Sequence, residues 1–199
     1  MPSPMQIALG SDWEKLPAAL QTHYAAARCR DVGHLDIDFP RWMQPLLGLL
    51  YRLGALIPRR GKGVATTVEK TMIGPRQHWQ RRMRFADGQV IAFDSQWEAA
   101  PAGTIIEYVN PWLGLRMKPS VRAGQLHYAG ISFILKLAGL RLPLPEWLLG
   151  HTRIVETALS EQRFSMDFRL THPLFGEVFR YTGEFTTEEQ PPEEQLGYG

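Results

Sequence analysis

The sequence predicts an α+β fold that is mainly antiparallel β: a strongly curved sheet or barrel of about nine or ten strands, with two N-terminal helices packed on it. Three observations carry this. Helical periodicity is confined to the first third of the chain, near residues 17–27 and 40–57. From Gly63 onward, short stretches of period-two alternation follow one another, separated by turn residues. One stretch, His78 to Trp97, reads as a β-hairpin folded at Asp87-Gly88, a pair suited to a type I′ turn. A sandwich of two flatter sheets is the alternative architecture.

The chain of 199 residues is long enough for one full core. We expect one domain over residues 1–187 and an acidic, disordered tail over 188–199, where Glu188, Glu189, Glu193 and Glu194 flank two prolines. Residues 1–10 read as a loose lead-in. In the first helix Leu16, Ala19, Leu20, His23 and Tyr24 share a core-directed face, with Pro17 at its first position. A strand over 32–39 alternates Leu35, Ile37 and Phe39 against His34, Asp36 and Asp38. The polar side spans about 13 Å, too far for one metal ion, so it reads as a solvated face. Pro40 opens the second helix, whose stripe includes Met43, Leu46, Leu47, Leu50 and Leu53, and Pro58 stops it. With Arg59-Arg60-Gly61-Lys62 behind it, this helix allows contact with an anionic membrane surface, although packing on the sheet is preferred.

Strands follow at 64–72, in the two arms of the hairpin, and at 104–109 and 113–118. After a turn at Ala123-Gly124, a strand over 126–137 shifts its apolar phase near Gly130, as a β-bulge would. Leu142 to Trp147 reads as an apolar loop folded over one end of the sheet, and strands at 153–159, 163–170 and 176–185 complete the set.

Composition excludes more than it assigns. Apolar residues make up 44% and charged residues 21%, which rules out a disordered or collagen-like chain. The lone Cys29 cannot form an internal disulfide and reads as a small buried side chain. No signal-like N-terminus or membrane-spanning run is visible, so a cytoplasmic location is expected. Basic residues crowd the stretch from Arg59 to Arg84, yet no nucleic-acid partner is expected. Phosphate-loop and Gly-x-Ser-x-Gly signatures are absent, the six histidines are scattered, and no metal or cofactor is expected.

The candidate site residues are polar or aromatic side chains on apolar faces. Arg81 lies in phase with Trp79 and Met83, Glu107 with Ile105, Tyr128 with Leu126, and Glu156 with Ile154. A buried arginine requires a carboxylate, which Glu107 or Glu156 would supply. These groups form either a structural ion pair or the polar end of a cavity whose walls are Trp79, Phe93, Trp97, Tyr128 and Phe168, suited to a lipid-like or aromatic molecule. Two rival uses remain open. One is an enzyme with Glu107 or Glu156 as general acid or base. The other is an interaction module docking through Arg82 and Arg84 or the loop near Trp147.

Trp79, Arg81 and Phe85, Glu107, Leu142-Pro143, Pro173-Leu174-Phe175-Gly176 and Tyr181-Thr182-Gly183 together resemble a bacterial family of domains of unknown function, numbered 4166. The resemblance runs from Leu16-Pro17 to Phe185, with Met83 standing where the pattern has an aromatic residue. It implies no established activity and no catalytic residue. It does imply occurrence alone or attached to domains resembling nucleotide-binding oxidoreductases.

Overall fold

The computed structural model describes residues 1–52, 56–137 and 140–190. Eleven antiparallel strands make one sheet: β1 (Cys29–Asp38), β2 (Gly61–Ile73), β3 (Arg76–Arg84), β4 (Val90–Ala100), β5 (Thr104–Tyr108), β6 (Leu113–Arg122), β7 (Gln125–Leu137), β8 (Leu140–Pro145), β9 (His151–Ala158), β10 (Arg163–His172) and β11 (Gly176–Glu189). Ten of them close on themselves. The order runs from β1 to β7 in sequence, skips to β9, β10 and β11, and returns to β1. Closure leaves these ten strands without an exposed edge. The eleventh, β8, pairs only with the outer half of β7.

The barrel bends where the sequence permits it. Arg116 pairs with Ser132 while Met117 pairs with Gly130, so Ile131 is the bulged residue expected near Gly130. Where β1 meets β11, a Cβ on Gly33 would lie 2.0 Å from the Glu184 carbonyl oxygen, and one on Gly183 2.2 Å from that of His34. Both positions require glycine, because the two backbones cross too closely for a side chain.

The central hairpin has the predicted faces. Trp79, Met83, Ile91 and Trp97 are buried inside, and Arg81 points inward with them. Its turn differs from the expected type I′. Only Gly88 has positive φ, and the Gly88 N–H donates to the Phe85 carbonyl, giving a β-turn followed by a left-handed glycine. Ala123 and Gly124 both have positive φ, as a type I′ turn requires.

Four expectations fail locally. The supposed lead-in holds helix α1 (Pro4–Leu9), started by a capping box between Ser3 and Gln6 and anchored by the fully buried Met5. The helices are shorter than the periodicity suggests. The first is α2 (Ala18–Tyr24), with Pro17 as its N-cap, and the second is a 3₁₀ turn at Arg41–Met43 leading into α3 (Gln44–Arg52). Leu53 lies outside the described residues. The stretch from Leu142 is not a loop: β8 continues to Pro145 and leads into the short α4 (Glu146–Leu149). Pro143 and Pro145 are tolerated because β8 is an edge strand. Finally, β11 runs on through Glu188 and Glu189, paired with Arg30 and Cys29, so these two residues of the expected tail belong to the sheet. Residues 191–199 lie outside the described set.

The interior is continuous hydrophobic core with a helix at each mouth. Near the start of β1, α2 packs against β1, β9, β10 and β11. At the opposite mouth, Met43 of the 3₁₀ turn and Leu47 of α3 join the core that includes Phe39, Phe85, Leu170 and Phe179.

Candidate functional site

Inside the barrel, the half nearer α2 carries charge. His23 and Tyr24, the last two residues of α2, enter the interior fully buried. Lys70 of β2 has no exposed surface, and its Nζ lies 2.7 Å from Asp31 Oδ2, from His23 Nδ1 and from the His23 carbonyl oxygen. It also sits 4.9 Å from the Trp79 ring centre. Isolated buried charges are costly, and this arrangement gives Lys70 two oxygen acceptors, Asp31 Oδ2 and the His23 carbonyl, with His23 Nδ1, itself 3.0 Å from Asp31 Oδ2, beside them. Burial is the largest influence on His23 and lowers its pKa to about 4, against the pull of Asp31. Burial alone would raise Asp31, but His23 and Lys70 together hold it well below the usual carboxylate range.

Beside this network stands a second carboxylate. Glu156 of β9 accepts a 2.8 Å hydrogen bond from the Tyr24 hydroxyl. Burial raises its pKa to about 8, against the opposing effects of Tyr24 and Lys70, so it is protonated at neutral pH. Burial likewise holds the phenols of Tyr24 and Tyr128 well above their ordinary value, and Glu156 adds to the effect.

A third group surrounds Arg81. Its Nη2 donates to Glu107 Oε1 at 3.1 Å and its Nη1 to Ser95 Oγ at 2.8 Å, while Ser95 Oγ donates to the same Glu107 oxygen at 2.7 Å. The guanidinium lies 5.0 Å from the Trp79 ring centre and 5.5 Å from that of Phe93. Trp79 and Trp97 stack at 4.6 Å, and Tyr24 packs near both. Arg81 therefore meets Glu107, one of the two carboxylates expected, and Glu156 pairs with Tyr24 instead.

The structure gathers Trp79, Arg81, Trp97, Glu107, Tyr128 and Glu156 around one void. Phe93 contributes at its margin through Arg81, and Phe168 stands aside, stacked on Tyr181 at 4.5 Å. The open apolar cavity expected from the sequence is not there. The void measures about 30 Å³, enough for a water-sized group, whereas a small-molecule pocket is commonly about 300 Å³ or more. Tyr24 and His23 of α2 fill the space. Besides the Asp31 carboxylate, which lies against Lys70 and His23, four polar atoms of the lining nevertheless lack hydrogen-bond partners among the described residues: Trp79 Nε1, Trp97 Nε1, Tyr128 Oη and Glu156 Oε2.

Sequence reasoning missed Asp31 and Lys70. A signal existed, since Asp31 continues the Leu35 and Ile37 face back through Gly33, and Lys70 continues that of Val64 and Val68. His23 was placed on the core face of its helix but not given a partner. Larger depressions lie on the outer wall, one of about 900 Å³ beside His34, Arg153 and Asp167. It is open, and Asp167 is already paired with Arg169 and Arg180. Among the described residues no cluster of His, Cys, Asp and Glu is arranged to hold a metal ion. No helix among them is long and apolar enough to cross a membrane.

A family model matches most of the chain. The family model described as Domain of unknown function (DUF4166) covers residues 16–185. No curated protein matches the sequence.

Proposed function

The chain belongs to the DUF4166 family, and we propose that its barrel is a small-molecule-binding module in which the cluster around Arg81 receives the polar end of the ligand. The observation that carries this reading is the set of unpartnered polar atoms on the void: two indole N–H groups, a phenol and one carboxyl oxygen. Buried polar groups are nearly always hydrogen-bonded, so four orphans on one void mark a position that a bound water completes in the closed barrel and that the polar end of a ligand would take over. Arg81, already fixed by Ser95 and Glu107, adds a positive charge beside it.

The interior is divided along its length. Toward α3 the lining turns apolar, with Phe39, Val64, Phe85, Ile91, Leu170 and Phe179. A ligand with a polar head and an apolar body matches that division, its body taking the space Met43 and Leu47 now fill. Binding is favoured over catalysis because Glu107 is held against Arg81 and Ser95, and one Glu156 oxygen already takes the Tyr24 hydroxyl. General acid–base chemistry needs a carboxyl free to exchange a proton with substrate.

Nitrogen-15 NMR of the tryptophan side chains tests the proposal. Titration with a medium-chain fatty acid should shift the indole N–H signals of Trp79 and Trp97, assigned by Trp→Phe variants, while that of the exposed Trp147 stays in place. Unmoved Trp79 and Trp97 signals with fatty acid, fatty alcohol and aromatic carboxylate alike, and no co-purified mass in native mass spectrometry, would overturn it.

A further inference from the structure

The segment that closes the α3 mouth is apolar on two faces. Met43, Leu47 and Leu50, spaced i, i+4 and i+7, pack into the core. Trp42, Leu46 and Leu49 repeat the spacing one residue earlier and face outward, 54%, 46% and 55% exposed. A helix lying on a globular domain normally carries polar residues on that side. The turn between β10 and β11 extends the surface, with Leu174 82% and Phe175 58% exposed. The Phe175 ring lies 5.3 Å from that of Trp42 and stacks on His172 at 4.8 Å, so the patch is continuous across elements far apart in sequence.

Charge is distributed around it in one sense. Arg41, Lys62 and Arg84 are exposed at this mouth, and no ion pair is found for them among the described residues. The carboxylates nearby are engaged: Asp38 with Arg60, Asp87 with Arg59, Glu177 with Arg169, and Asp36 with the Gly63 N–H. Asp36 keeps its negative charge, since its partner is a neutral amide, and against it stand three cations, so the balance at this mouth is cationic. The outward face of α3 also offers little hydrogen-bonding chemistry, because the Gln44 amide donates to the Pro58 carbonyl. Among the described side chains, that face also carries the indole of Trp42 and the phenol of Tyr51, which favour a membrane–water boundary.

We propose that this mouth of the barrel docks on an anionic lipid bilayer. Trp42, Leu46, Leu49 and Phe175 enter the boundary between headgroups and acyl chains, and Arg41, Lys62 and Arg84 meet lipid phosphates and carboxylates. A bilayer requires apolar side chains ringed by free cations and no matching pattern of donors and acceptors, which is what this surface presents. The surface stands independently of whether the interior takes a ligand.

Vesicle co-sedimentation of the full chain tests this, using phosphatidylcholine alone and phosphatidylcholine with about 30% phosphatidylserine. Wild type should bind the anionic vesicles and lose most binding on neutral ones or in about 0.5 M salt. The Trp42→Ser/Phe175→Ser variant should bind at least about tenfold more weakly, with an unchanged melting curve because both residues are exposed. Ile73→Ser, an exposed apolar site at the opposite mouth, should bind as wild type does. Wild type remaining in the supernatant with anionic vesicles, or the double variant binding undiminished, overturns the proposal. So does a dimer in analytical ultracentrifugation that the double variant dissociates while no vesicle binding is seen, which would assign the patch to a second copy of the chain.

Discussion

At one mouth of the barrel α2 is held by directed, charged contacts: His23 and the main chain beside it engage Lys70 and Asp31, and Tyr24 bonds Glu156. At the other, Met43, Leu47 and part of Leu50 hold the segment around α3 by apolar burial, and the directed side-chain bond described there, from the Gln44 amide to the Pro58 carbonyl, is exposed to solvent. Directed bonds between buried groups are costly to break one at a time, because each leaves a partner stranded in low dielectric. Apolar contacts are lost gradually and carry no such penalty. Two helices of similar length therefore close the same barrel with different resistance to opening. The α2 mouth is the fixed end, against which the polar site is built. The α3 mouth is the end at which opening should cost less.

The largest way to break this comparison is to remove the cation. Lys70→Met should cost about 3–5 kcal/mol by leaving Asp31 buried without its charge partner, measured by urea unfolding. Adding Asp31→Leu should return much of that loss, since the stranded charge goes with it. Arg81→Met should cost about 3 kcal/mol through Glu107. The neighbouring Arg82→Met, whose half-exposed side chain pairs with Asp94 across the strand and donates to the Arg81 carbonyl, should stay within about 0.5 kcal/mol. Similar melting of the two arginine variants would mean that the hairpin does not point a charge inward. At the other mouth, Leu47→Ala should cost about 2–3 kcal/mol, the lower end for a fully buried leucine, because α3 can settle onto the core.

Stability against pH sharpens the picture at the α2 mouth. Glu156 has a folded pKa of about 8 against 4.5 for an ordinary glutamate, so its contribution is complete below pH 4.5 and is lost as pH rises to 8. His23 has a folded pKa of about 4 against 6.5, so its contribution is present above pH 6.5 and is lost as pH falls to 4. Between pH 4.5 and 6.5 the two slopes oppose each other, and stability should be nearly level. From pH 6.5 to 8 Glu156 acts alone, and stability should fall by about 2 kcal/mol, at about 1.4 kcal/mol per pH unit. Glu156→Gln keeps an acceptor for Tyr24 and should abolish that decline. A variant that still loses stability over the same range would place the titration elsewhere.

The two mouths were also unequally legible in the sequence. Alternation in the hairpin placed Trp79, Arg81 and Trp97 inside, and the cost of a buried arginine led to a carboxylate at Glu107 or Glu156, of which the structure supplies Glu107. Those inferences rest on period two and on one strong energetic rule, and both are local. The network of His23, Asp31 and Lys70 was not seen because its members come from a helix and two strands whose registers only the closed barrel defines. Lys70 also looked ordinary near the end of a strand, where long basic side chains usually reach solvent. The filled interior was hidden for a related reason: periodicity places α2 on the sheet, but its last two side chains enter the barrel. At the α3 mouth, the amphipathic stripe assigned Leu46 to the buried side with Leu47, and the structure turns it outward. A nine-residue helix rotated by one position moves a whole stripe, and composition alone does not fix that rotation.

Amide hydrogen exchange resolved by NMR or by peptide mass tests most directly whether the barrel is locked at one mouth and only covered at the other. The Leu20 and Gln21 amides of α2, both bonded to the Pro17 carbonyl, should exchange only with the global unfolding of the barrel strands. The amides in the last turn of α3 should exchange at least about a hundredfold faster, through local opening that leaves β1 to β11 protected. Equal protection of the two helices, or α2 opening before α3, would contradict the account.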